Sequence, residues 1–82
     1  MSTVDEFGII PVARGIDGKL LVQKEVVFPT KDDALRAGTI FAQVLGGAVA
    51  FRRRIDTEAG VKEDGIIIGR YGILAEEKRD AK

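Results

Sequence analysis

Thr30-Lys31-Asp32-Asp33-Ala34-Leu35-Arg36-Ala37-Gly38-Thr39-Ile40-Phe41-Ala42-Gln43-Val44-Leu45-Gly46 is the stretch that decides the fold, because its start, its period and its stop all agree on a helix. Pro29 ends the preceding strand, the Thr30 hydroxyl is placed to accept from a free first-turn amide, and Asp32 and Asp33 set negative charge at the positive end of the dipole. Gly46-Gly47 stops it. At 100° per residue Asp32, Arg36, Thr39 and Gln43 fall on one narrow stripe, and apart from Asp33 the rest of the circumference is apolar or glycine. Ala34, Leu35, Gly38, Phe41, Ala42 and Leu45 form the core face. Ala37, Ile40 and Val44 widen it to roughly 220°, against the usual stripe of about 100°. One small sheet does not readily cover so wide an arc, which makes Ala37, Ile40 and Val44 candidates for a protein interface, with a second copy or another protein.

Working outward, Phe7 to Ala13 is a short apolar strand in which Pro11 lacks a backbone donor, so it is expected at a sheet edge. Asp17-Gly18 supplies a tight hairpin turn. A second strand runs from about Lys19 to Phe28, and its polar interruption at Gln23-Lys24-Glu25 predicts a bend or bulge. Beyond the helix, Ala48 to Ile55 alternates so that Val49, Phe51, Arg53 and Ile55 share one face and Arg52 and Arg54 the other. Arg53 is expected to pack its stem and reach water with its head. Asp56 to Gly65 is an acidic, glycine-punctuated loop, and Ile66 to Leu74 is a fourth strand whose Gly69 and Gly72 permit a bulge or a close neighbour. The order strand-strand-helix-strand-strand predicts an α+β domain, a mostly antiparallel four-stranded sheet with one helix on one face. Residues 1–82 read as a single domain, with 1–6 and the charged 75–82 as loose ends.

Composition narrows the chemistry. The 82 residues contain 13 Lys+Arg, 13 Asp+Glu and no His, Cys or Trp, with mean hydropathy +0.04. The commonest zinc ligand, the commonest general base and every thiolate are therefore missing, and no cofactor is implied. A zero formal net charge argues against diffuse attraction to nucleic acid. The polar, acidic opening Met1 to Glu6 lacks the features of a secretory signal, and no apolar run approaches the roughly 20 residues of a membrane span, so the chain reads as cytoplasmic and free of membrane contact.

The helix with its alanines and leucines, Gly47-Ala48-Val49-Ala50-Phe51 followed by Arg53, Asp56 with Gly60, and Tyr71-Gly72 form a pattern over roughly Lys31 to Leu74. In this pattern the chain resembles a group of small uncharacterised bacterial proteins, chiefly alphaproteobacterial. The resemblance implies a similar core and brings no activity with it; Arg52, Arg54 and the N-terminal hairpin fall outside it.

Two further surfaces are candidates for chemistry. If the last two strands pair, Arg52, Arg54 and Arg70 crowd one side with Tyr71 nearby to stack on a base, an alternative nucleic-acid-binding reading. Against it stands ordinary solvation, the arginines pairing with Asp56, Glu58, Glu63 and Glu25. Counting Asp56 as position one of a calcium loop puts Ile67 at position twelve, where a bidentate Glu is needed, so the acidic loop reads as a hairpin connection. With no His to activate Ser or Thr and no phosphate-cradling glycine motif, the sequence favours a non-enzymatic interaction domain, most simply a homodimer.

Overall fold

The computed structural model describes residues 3–75. The elements are β1 (Thr3–Arg14), β2 (Leu20–Val22), β3 (Val26–Phe28), α1 (Lys31–Leu45), β4 (Gly46–Asp56), β5 (Val61–Lys62) and β6 (Ile66–Gly72). The fold is α+β with an antiparallel sheet and one main helix, as expected, but the sheet is a curled half-barrel of six strands rather than a simple sheet of four. The count rises because the second expected strand is broken into β2 and β3, and because Val61–Lys62, expected in the loop from Asp56 to Gly65, pairs with Ile55 and Asp56 as β5. β1 and β4 run side by side from Thr3↔Asp56 to Ala13↔Gly46, β2 and β3 share the far side of β1, and β5 and β6 share the far side of β4.

The bulge expected at Gln23-Lys24-Glu25 is present. Val12 pairs Val22 and Ile9 pairs Val26, so Ile10 and Pro11 lie opposite three residues. This break also explains a correction: β1 is central, not an edge strand. In an antiparallel ladder a residue's N–H and C=O point to the same neighbour. The Pro11 carbonyl accepts from the Gln23 N–H at 2.8 Å, so the donor that proline lacks faces the break, where the ladder is already interrupted. Thr3 to Glu6, expected in a loose end, instead pair with Arg53 to Asp56. In β6, Ala50 faces Gly69 and Phe51 faces Ile67, leaving Ile68 as a second extra residue. Two bulged outer strands bend and twist the sheet.

α1 starts and stops as the sequence dictates: Thr30 Oγ1 accepts from the Asp33 N–H at 3.1 Å, and the N–H of Gly46, at φ 122°, returns to the Ala42 carbonyl. Its seating is different. Ala34, Ala37 and Gly38 are buried, whereas Leu35, Phe41, Ala42 and Leu45 are only half-buried. The small residues sit nearest the sheet, against Ile9 and Ala50, and Phe7, Phe28, Leu35, Phe41, Ile68 and Tyr71 pack around that contact. A Cβ on Gly38 would lie 2.5 Å from Tyr71 Cε2, so this approach requires glycine. Ala37 therefore belongs to the core and is withdrawn as an interface residue.

The Asp17-Gly18 turn forms as read, with Gly18 at φ 84° donating to the Gly15 carbonyl at 3.0 Å and Asp17 Oδ1 accepting from Lys19 N–H at 3.0 Å. The last strand, expected to reach Leu74, stops at Gly72, whose φ of 65° turns the chain into helical backbone at residues 73–75. Most of the expected loose end at 75–82 lies outside the described residues. Gly18 and Gly72 make a matched test. Both hold positive φ, but a Cβ at Gly18 meets open space while one at Gly72 runs into the Gly46 carbonyl. Gly18→Ala is expected to cost about 1 kcal/mol, from backbone strain alone, and Gly72→Ala clearly more, about 3 kcal/mol, as read by urea denaturation.

Candidate functional site: the bare face of the sheet

Residues directly opposite in an antiparallel pair share a face, so the registers sort the side chains unambiguously. Ile9 and Ala50 face α1, which puts Ile10 and Val12 of β1, Val22 of β2, and Val49 and Phe51 of β4 on the other side, with Ile67 opposite Phe51. Together with Leu20 and Leu74 they line an open apolar trough of about 500 Å³. Nothing among the described elements covers it. Its rim is wet: Val22 is 71% exposed, and Leu20 and Ile67 are exposed as well.

One polar group closes the trough. Arg53 shares the face of Phe51 because it lies two residues on, and its guanidinium sits 4.8 Å from the centre of the Phe51 ring. The sequence alone sends this head to water. Instead Arg53 Nε donates to Glu6 Oε1 at 2.9 Å, Nη2 donates to Glu6 Oε1 and to Glu25 Oε2 at 2.8 Å, and only 15% of the side chain is exposed. Glu6 stands directly opposite Arg53 in the β1–β4 ladder, and Glu25 comes from the bulge between β2 and β3, so the cluster ties that bulge to β4. The hydrogen bonds it donates to Glu25 and Glu6 hold the guanidinium protonated well above its ordinary range. The hydrogen bond from Arg53 holds the Glu25 carboxyl below its ordinary value, against a smaller opposing effect of burial.

The four residues of the nucleic-acid reading are not brought together. Arg52 and Arg54 lie on the helix side of the sheet, where they share a small cleft with Asp5, Glu63, Asp64 and Ile66. Arg70 faces Val49 on the trough side. Tyr71 turns back to the helix side with its ring beneath Gly38, and burial pushes its hydroxyl pKa up. The cause is register: neighbours in sequence alternate faces, and the extra residue at Ile68 resets the alternation. In the acidic loop, Asp56 Oδ1 accepts from the Glu58 and Ala59 N–H groups at 3.0 and 3.2 Å, and Gly60 at φ 71° closes the turn. Of the helix candidates, Ile40 and Val44 are exposed at 53% and 74%. The apolar pattern that begins at Phe7 leaves Glu6 out of the first strand, but the alternation of Ile10 and Val12, extended two steps back, reaches it on the trough face.

Fold and site together define a small α+β domain whose curled sheet is packed by one helix on one side and left apolar and open on the other. Compared with protein-family models, with curated proteins and with solved structures, the chain returns no match. No helix among the described residues is long and apolar enough to cross a membrane.

A carboxylate whose pKa is lowered by folding contributes stability above its unfolded pKa, and that contribution disappears as pH falls through the lowered value. Unfolding midpoints in urea are therefore expected to drop as the pH is taken below about 4. Glu25→Gln should lower the midpoint at neutral pH and flatten the acid limb; an unchanged acid limb would show that the Glu25–Arg53 contact contributes nothing.

Proposed function

We propose that the protein is a small non-enzymatic interaction domain that self-associates, two copies laying their bare sheet faces together around a two-fold axis as a homodimer. The observation that carries this reading is the apolar trough. Among the described residues Ile9 is the largest side chain that is fully buried, while Leu20, Val22 and Ile67 stand exposed around it. Burying apolar surface is favourable by about 25 cal/mol per Å², and a chain this short has little other core to draw on. An isologous contact suits such a face because the same patch serves both partners. Sheet-on-sheet packing also leaves each helix outside, where its polar stripe of Asp32, Arg36, Thr39 and Gln43 meets water.

Ile40 and Val44 form a second exposed apolar patch, but a narrow one, flanked by exposed Thr39 and Gln43. The two surfaces separate by mutation. Val22→Asp places a charge on the trough rim at a position too exposed to disturb the protomer, and it is expected to weaken the dimer at least ten-fold in sedimentation equilibrium. Val44→Asp is expected to leave the dissociation constant unchanged. A wild-type protein whose mass stays that of one chain at every concentration would overturn the proposal.

A further inference from the structure

We propose that the outer edge of β6 is a second self-association surface, on which the same strand of another copy pairs antiparallel and continues the sheet. Among the described strands β6 is hydrogen-bonded only to β4, so its outer side presents a row of N–H and C=O groups that an extended backbone fits. The two edges of the half-barrel differ. β2 and β3 are three residues each and are separated by Gln23-Lys24-Glu25, a short, bulged and charged edge of the kind that resists pairing. β6, although bulged towards β4, starts on Ile66-Ile67-Ile68-Gly69 directly after Gly65, a stretch without a charge or a proline, and Ile66 and Ile67 are exposed.

Charge selects the occupant. Glu63 and Asp64 precede the isoleucines and Arg70 follows them. Antiparallel pairing of β6 with itself, centred on the isoleucines, lays each acidic flank alongside the other copy's Arg70, twice by symmetry; parallel pairing would set like charges side by side. Asp64 and Arg70 have no ion pair among the described residues, so both are available for such a contact.

This surface does not depend on the trough, and the experiment keeps the two apart by working in the Val22→Asp background, with Ile66, whose side chain lies on the helix side of the sheet opposite Arg52, as the variant that leaves the trough face untouched. That protein is expected still to form dimers in sedimentation equilibrium. Adding Arg70→Glu should raise the dissociation constant about ten-fold, Asp64→Lys together with Arg70→Glu should restore most of the affinity, and Ile66→Lys should abolish association. Restoration by the paired exchange also shows that the charge variants fold. If the Val22→Asp protein is monomeric at every concentration, or if association ignores both Arg70→Glu and Ile66→Lys, the edge proposal fails. If wild-type association ignores Val22→Asp but responds to Ile66→Lys, the trough reading falls and the edge stands.

Discussion

Everything in this domain depends on how closely α1 approaches the β1–β4 pair. Ala34, Ala37 and Gly38 on the helix meet Ile9 and Ala50 on the sheet, and Gly38 sits on the Tyr71 ring with no room for a methyl group. Interiors pack to crystal-like density, so side chains this small bring the two layers together rather than leave a gap between them. The larger Leu35, Phe41, Phe7 and Phe28 then seal the margins of the contact. Close seating makes a dense core, but a thin one, because alanine and glycine remove little apolar area from water.

A thin core on one side explains the other side. The aliphatic residues of β1, β2, β4 and β6 that point away from α1 are as apolar as those that point towards it, yet among the described elements no second helix lies over them. A half-barrel with a greasy open face is what supports the proposed association, and the Arg53 cluster lies at the end of that face. By holding Glu25 in the bulge, Arg53 fixes the position of β3 relative to β4 and so fixes the shape of the trough's end. Phe51 lies under the guanidinium, which joins the apolar floor to the polar end in a single packed unit.

Bulges do the shaping. The one opposite Ile10 and Pro11 lets a proline sit in a central strand, and the one at Ile68 turns Arg70 away from Arg52 and Arg54. Each inserts a single residue, and each reverses which side chains share a face beyond it. The arginine surface inferred from neighbouring strands depended on a register that one residue was enough to change.

By itself the sequence determined what is local. The Thr30 cap, the Gly46 stop, the Asp17-Gly18 turn, the bulge at Gln23-Lys24-Glu25 and the alternation of Val49, Phe51 and Arg53 all depend on residues a few positions apart, where propensity and spacing act directly. Only the tertiary structure decided that β1 is central, that Ala37 is core while Ile40 and Val44 are not, that Arg53 is held by Glu6 and Glu25, and that Arg70 and Arg52 face opposite ways. These facts rest on contacts between residues far apart in the chain. Their register and rotation are set by how all the layers pack at once, and no window of sequence contains that information.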